Sequence, residues 1–226
     1  MKTKTFNVDV DEIVEGVYLC SIKNRYDLAM TFCRVQEFYE SPFKEIRGKK
    51  FHMMYFMELY SKRRGDGAFT YANDWVGFNV PGNIVQKMFE LGIDDVTEYD
   101  EIIKKIHERA GSGRYYLIGS SGKDKKTINH ELCHALYYLH EDYKHAADKI
   151  TKKISSGAYK KLCKFLLELG YTKQVLADEI QAYLSTYCIM FDEIKFTKKE
   201  NLNVLEAETE LKMFFKQYKK KNKIKI

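Results

Sequence analysis

The pattern of hydrophobic and polar positions changes near residue 82 and divides the chain into two halves. Before Pro81-Gly82, short runs rich in Tyr, Phe and Val alternate with polar turns, which is typical of strands. Three such runs are GVYLC (16–20), FHMMYFMELY (51–60) and AFTYANDWVGFNV (68–80). The segment NRYDLAMTFCRVQEFYE (24–40) instead has the apolar spacing of a helix. We therefore expect several strands with one or two helices in this half.

After Pro81-Gly82 the pattern becomes helical. The segment NIVQKMFELG (83–92) ends on a glycine suited to a C-cap, and Thr97 is suited to cap TEYDEIIKKIHERA (97–110). One more strand, RYYLIG (114–119), precedes a polar turn. From residue 125 onward the pattern predicts helices, including 142–153 and 157–169, with breaks at 155–157, at Gly170 and near Asp192. This order predicts an α+β fold, in which an N-terminal mixed sheet with helices is followed by a mostly helical C-terminal half.

Length and composition favour one domain with a short basic extension. The 226 residues are 45% hydrophobic, enough to bury a full core. We predict a single domain over 1–211, sheet-rich over 1–124 and helical over 125–211, followed by a basic tail at 212–226. The tail has seven lysines and no acid, so the rest of the chain has a net charge of −1 although the whole chain has +6. We expect the tail to be solvated and frayed, and the scarcity of Arg makes nucleic acid an unexpected partner.

The remaining composition predicts a cytoplasmic protein without a membrane partner. No apolar run is long enough to cross a bilayer, and charges interrupt the N-terminus where a signal peptide needs an apolar core. The cysteines are odd in number and widely spaced, with no CxxC pair, which indicates reduced thiols and not metal ligands. They are Cys20, Cys33, Cys133, Cys163 and Cys188.

The clearest chemical signal is the HExxH sequence at residues 130–134, within TINHELCHALYYLH (127–140). On a helix, an apolar stripe that includes Ile128 and Leu132 lies opposite His130 and His134, which are one turn apart. Two imidazoles one turn apart can bind one ion at Zn–N distances of about 2.0–2.1 Å. Glu131 falls between the two faces, where it can reach a water molecule without binding the ion. The alternative is that both histidines lie on the surface of an ordinary amphipathic helix.

This segment resembles the active-site helix of the zincin metallopeptidases. The resemblance implies that His130 and His134 bind Zn²⁺ and that Glu131 acts as general base and then as proton shuttle. It also implies that RYYLIG, just before the motif, corresponds to the edge strand on which these enzymes hold an extended peptide. The expected substrate is therefore a peptide or protein.

A catalytic zinc usually has three protein ligands, so one more must come from elsewhere in the chain. His140 has the spacing of the metzincin pattern, but Tyr137 stands where that pattern needs a glycine. The gluzincin branch uses a glutamate on a later helix, and Glu179 in VLADEIQAYLSTY (175–187) fits that position. We favour Glu179, with His140 and Asp178 as the alternatives.

Other residues are assigned supporting roles. Asp178 is a plausible hydrogen-bond acceptor for a ligating imidazole. Tyr183, or alternatively His145, could donate a hydrogen bond to the oxyanion of the reaction, and the aromatic run around Trp75 is expected to be packed core or to line substrate pockets. The resulting hypothesis is a zinc-dependent metallopeptidase. The alternatives are a catalytically silent binding module of zincin type and a regulatory peptidase that cleaves a partner associated with nucleic acid.

Overall fold

The computed structural model describes residues 8–65, 67–111, 114–122, 124–186, 191–224 and 226. It confirms the predicted fold class, with a four-stranded mixed sheet in the N-terminal half and a mostly helical C-terminal half. The chain packs as two compact units, Met1–Ile128 and Asn129–Ile226.

In its described residues the first unit combines the sheet with five helices and the start of a sixth. Its strands are β1 (Asp9–Val14), β2 (Val17–Ser21), β3 (Gly77–Pro81) and β4 (Tyr116–Ser120). Its helices are α1 (Arg25–Glu40), α2 (Met53–Arg64), α3 (Tyr71–Asp74), α4 (Gly82–Leu91) and α5 (Glu98–Ala110). Thr97 caps α5 as predicted, through a reciprocal capping box with Asp100.

The strand before the motif is not an edge strand, contrary to the expectation for RYYLIG. The strand order is β1-β2-β4-β3, with β4 parallel to β2 and antiparallel to β3. All five residues of β4 are paired on both sides and buried. The backbone groups of β4 therefore already have partners, and this strand has no free edge for an extended peptide.

Two aromatic runs in this unit differ from the sequence prediction. FHMMYFMELY forms most of helix α2 and not a strand, and Met53 and Phe56, three residues apart on this helix, are buried. In the following run Tyr71 and Phe78 are buried, but Trp75 is 50% exposed. The expectation that Trp75 is packed in the core is therefore wrong.

The second unit contains only helices among its described residues. Helix α6 (Lys125–Leu139) enters it from the first unit, and α7 (Glu141–Thr151), α8 (Ser156–Glu168), α9 (Leu176–Thr186) and α10 (Lys198–Lys221) follow. Helices α7 and α8 lie where the sequence predicted helices at 142–153 and 157–169. Helix α9 packs against α7, α8 and α10, so it is the central element of this unit.

The lysine-rich segment 212–226 is not the frayed tail that we expected. Helix α10 continues to Lys221, and Leu211, Phe215 and Tyr218 are buried on its inner face. Lys219 lies over the Phe215 ring, with 4.4 Å between its Nζ atom and the ring centroid. Apolar residues at helical spacing hold this segment in place, although its charge composition is typical of a solvated end.

The two remaining expectations concern the state of the cysteines and the membrane. Cys20, Cys33, Cys133 and Cys163 are free thiols, and Cys188 lies outside the described residues. Burial raises the pKa of the Cys20 thiol and that of the Cys133 thiol to about 12. Among the described helices, none combines the length and the apolar character that crossing a membrane requires.

Candidate metal centre

The HExxH sequence lies in the middle of α6, where the helix is buried on every side. Residues 131–136 are all buried, and the exposed fraction is 7% for Glu131 and 3% for His134. The alternative of two histidines on an exposed helix surface is therefore wrong. His134 and Glu131 are buried and His130 is half-buried, so these groups need polar partners, because burial of such groups without partners is costly.

Helix α9 brings Glu179 to the two histidines. The Nε2 atoms of His130 and His134 are 3.4 Å apart, and Glu179 Oε2 lies 3.8 Å from His134 Nε2. One ligand atom from each of the three residues falls within 4.8 Å of the others. In a tetrahedral site with bonds of about 2.0–2.1 Å, neighbouring ligand atoms are about 3.3–3.4 Å apart. The separations of 3.4 and 3.8 Å are close to this value, and a small shift of the side chains would bring all three atoms of this cluster, His130, His134 and Glu179, around one small cation.

A hydroxyl group fixes which nitrogen of His130 carries hydrogen. Thr186 Oγ1 donates to the carbonyl oxygen of Ala182 at 2.6 Å, so its oxygen is left to accept from His130 Nδ1 at 3.1 Å. The Ala182 carbonyl also acts on the same imidazole as a hydrogen-bond acceptor. Nδ1 is therefore the protonated nitrogen, and Nε2 presents its lone pair to the cluster.

The Asp178 carboxylate likewise fixes which nitrogen of His134 carries hydrogen. Asp178 Oδ1 lies 3.0 Å from His134 Nδ1, so this nitrogen is the donor and Nε2 again faces the cluster. Two lone pairs that face each other at 3.4 Å repel unless a proton or a cation lies between them. The donor set of two imidazole nitrogens and one carboxylate is one that Zn²⁺ accepts, so the residues present fit this metal.

The two histidines differ in the direction of their pKa shifts. Burial and the neighbouring His134 lower the pKa of His130 to about 3. Burial also acts to lower the pKa of His134, but Asp178, Glu179 and Glu131 outweigh it and raise that pKa well above its usual value. Three carboxylates thus act on His134 and favour a positive charge at this imidazole.

The Glu131 carboxylate is close enough to His134 to affect its pKa. This carboxylate contributes to the raised pKa of His134 and to that of the Tyr171 hydroxyl. The three grouped ligand atoms belong to His130, His134 and Glu179, so Glu131 is outside the group as the motif predicts. This position suits a carboxylate that exchanges protons beside the cluster.

The predicted Tyr183 lies next to His130 and contacts a second tyrosine, Tyr171, that was not predicted. The ring of Tyr183 is 4.6 Å from the His130 ring, between centroids, and its hydroxyl is 2.8 Å from that of Tyr171. Burial, followed by Glu179, raises the pKa of Tyr171, so this hydroxyl keeps its proton. Tyr183 is 8% exposed, whereas Tyr171 is partly exposed and thus more accessible to a bound molecule.

The other candidates lie away from the grouped atoms. His140 is the N-cap residue of α7, where its Nδ1 atom contacts the Tyr218 hydroxyl at 2.9 Å. That hydroxyl donates to Asp142 at 2.8 Å, so it accepts from His140. His145 is exposed on α7. Asp178, the further alternative for a ligand, contacts Nδ1 of His134 and not the face where Nε2 atoms meet.

Sequence reasoning missed Thr186, Tyr171 and Gln181. One available signal was helical spacing, because Glu179, Tyr183 and Thr186 follow one another at intervals of four and three residues on α9. Tyr171 gave no such signal, since it lies in the turn between α8 and α9. That turn begins at Gly170, whose φ of 101° is in the left-handed region, and it is closed by a bond from the Tyr171 amide to the Leu166 carbonyl.

Comparison with known proteins gives no independent assignment. No family model, no curated protein and no solved structure is significantly similar to this chain. A proposed function for this chain therefore depends on the geometry of His130, His134 and Glu179.

Proposed function

We propose that the chain is a zinc-dependent hydrolase that cleaves peptide bonds. One observation carries the proposal: two histidine Nε2 atoms and the Glu179 carboxylate converge on one point, while both Nδ1 atoms are held by acceptors on α9. His130, His134 and Glu179 would hold the ion, and three protein ligands leave a position for water, as in catalytic and not structural zinc sites. When bound, Zn²⁺ supplies Lewis-acid polarisation of the carbonyl and a lower pKa for water.

Glu131 supplies the proton transfers in this proposal. It is buried beside the cluster, where its carboxylate accepts a proton from the attacking water and returns it to the leaving nitrogen. General acid–base catalysis of this kind contributes about 10²–10⁴-fold to a rate. A buried carboxylate that lies beside the ligand group and outside it is placed as a general base requires, and this position supports the catalytic proposal.

The tyrosine pair supplies hydrogen bonds to the substrate. Charge develops on the carbonyl oxygen as water attacks, and a hydroxyl donor placed beside it stabilises that charge. The hydroxyls of Tyr171 and Tyr183 are adjacent, and Tyr171 is the more accessible. We assign the hydrogen bond to the substrate to Tyr171. The hydroxyl of Tyr183 would hold the Tyr171 hydroxyl in place by a second hydrogen bond.

The test is cleavage of a random peptide library by purified protein with measured zinc content. The blank is Glu131→Gln, and Glu141→Gln, an exposed change on α7, is the matched control. We expect about one zinc per chain in all three proteins, and cleavage that only Glu131→Gln loses. Zinc without cleavage in the wild type would favour the silent binding module. A wild type that takes up no zinc after reconstitution overturns the proposal.

A further inference from the structure

A chain of buried hydrogen bonds continues inward from His134. Asp178 Oδ1, which contacts His134 Nδ1, also accepts a hydrogen bond from Gln181 Nε2 at 2.9 Å. The other end of the Gln181 amide accepts a hydrogen bond from the Tyr143 hydroxyl at 3.2 Å. Gln181 is 1% exposed and Tyr143 is fully buried, so both polar groups depend on protein partners.

The chemistry of each group assigns every donor in this chain. Only the NH₂ group of Gln181 can face the Asp178 carboxylate, so its carbonyl must face Tyr143. The Tyr143 hydroxyl must then donate to that carbonyl. Asp178 Oδ1 therefore accepts from Gln181 on one side and from His134 on the other, which restricts rotation of the carboxylate.

The far end of the chain is anchored by aromatic packing. The Tyr143 ring lies 5.1 Å from the Phe214 ring and 5.0 Å from the Tyr218 ring, between centroids. These rings belong to α10, whereas Tyr143 is on α7 and Gln181 is on α9. The orientation of one imidazole on α6 is thus linked to the packing of three other helices.

We propose that Gln181 and Tyr143 are positioning residues that hold Asp178 against His134 and thereby keep His134 Nε2 aimed at the metal. The inference rests on the proposed metal centre. Partners of this kind, beyond the ligands themselves, typically change metal affinity by about 10–100-fold when removed. Neither residue was assigned a role from the motif.

The experiment is a double-mutant cycle on zinc affinity, with Gln181→Met, Tyr143→Phe and the combination. Competition with a chromophoric chelator measures affinity, and urea unfolding measures the folded fraction of each metal-free variant. We expect Gln181→Met to lower zinc affinity by about 10–100-fold. Tyr143→Phe lowers it less, and its effect disappears in the Gln181→Met background because Tyr143 acts through Gln181. Gln174→Met, at an exposed position before α9, is the matched control and leaves affinity unchanged.

A spectroscopic measurement separates positioning from mere stability. The Nδ1 proton of His134, held by Asp178, should give a slowly exchanging NMR signal that Gln181→Met abolishes while Gln174→Met retains it. If Gln181→Met keeps both the signal and a zinc affinity within about twofold of wild type, the positioning role is overturned. If Gln181→Met does not fold, Tyr143→Phe decides by the same two criteria.

Failure of the metal centre gives a different result. A wild type that takes up no zinc overturns the proposed function, and the Nδ1 signal of the metal-free protein then decides the positioning role alone. A signal present in the wild type and absent in Gln181→Met supports it. A signal that is equal in both proteins overturns it.

Discussion

The Nε2 atoms of His130 and His134 face each other at 3.4 Å, although the Nδ1 atom of each imidazole already has an acceptor. In its neutral form each imidazole therefore presents Nε2 as an acceptor, and the raised pKa of His134 corresponds to a proton on its Nε2 that donates across this contact in the absence of a metal. Such a contact between like groups is favourable only with a positive charge between them, and the surrounding carboxylates favour that charge. This relationship, more than the sequence motif, motivates the predictions on metal binding.

Replacement of Glu179 should abolish zinc binding. Glu179→Gln keeps the size of the side chain but removes the charge, and an amide is a much weaker zinc ligand than a carboxylate. We expect less than about a tenth of the wild-type zinc content after dialysis against a weak chelator, measured by mass spectrometry of the metal. Glu168→Gln, at the exposed end of α8, is the control and should bind as the wild type does. Equal zinc in the Glu179→Gln protein would contradict this assignment and favour a different third ligand.

Loss of the Thr186 hydroxyl should weaken the site through His130. Thr186→Val preserves the shape of the side chain but removes the oxygen that lies 3.1 Å from His130 Nδ1. We expect zinc affinity to fall by about tenfold, at the lower end of the range for such partners, because the Ala182 carbonyl remains as an acceptor. Chelator competition measures the change, and Thr186→Ser, which retains the hydroxyl, should restore most of the affinity. A larger loss in Thr186→Ser than in Thr186→Val would be incompatible with this role.

The lysine-rich end of α10 should be essential for the stability of the second unit. Phe215 is 4% exposed, and Phe215→Ala should destabilise the protein by about 3–5 kcal/mol, the usual cost of emptying such a buried site. Lys216→Ala, at the adjacent exposed position, should change stability by less than about 0.5 kcal/mol. Urea unfolding followed by far-UV circular dichroism measures both. Equal stability of the two variants would contradict this role of Phe215 and support the frayed tail that the composition predicts.

A buried glutamate in the first unit should make stability depend on pH. Burial raises the pKa of Glu37 above its usual value, although the nearby Ser41 and Tyr71 hydroxyls act to lower it. Because the pKa is raised in the folded state, the contribution of this group is present below its unfolded pKa and is lost as pH rises through the folded pKa. Each unit of such a shift corresponds to about 1.4 kcal/mol. Glu37→Gln should therefore stabilise the protein relative to wild type more at pH 7 than at pH 4.

The single tryptophan makes this prediction measurable. The ring of Trp75 lies 6.3 Å from that of Tyr71, between centroids, so its fluorescence follows unfolding of the region around Glu37. Urea midpoints of wild type and Glu37→Gln are compared at the two pH values. Glu45→Gln, at an exposed position just after α1, is the control and should show no such difference. A Glu37→Gln effect that is the same at both pH values would argue against a raised pKa.

The sequence by itself determined the fold class and most of the helices, and it suggested the kind of chemistry that we propose. The change of periodicity near residue 82, the cap at Thr97 and the helices on either side of Gly170 follow from local rules that need no long-range contact. The spacing of His130 and His134 places two imidazoles one turn apart on any helix. Glu179 is favoured because the resemblance to the gluzincin branch implies a glutamate ligand on a later helix, and because its neighbours form an apolar stripe.

Only the tertiary structure decided which partners these residues have. Strand order depends on contacts between distant segments, so the central position of β4 was not readable from RYYLIG itself. The lysine count of α10 concealed the buried positions of Phe215 and Tyr218, because composition does not distinguish the two faces of a helix. Thr186 and Asp178 on α9 accept from the histidines on α6, and the Tyr143 hydroxyl on α7 donates to Gln181 on α9, so these contacts join segments far apart in sequence. Periodicity specifies which face a residue occupies, but packing alone specifies what that face meets.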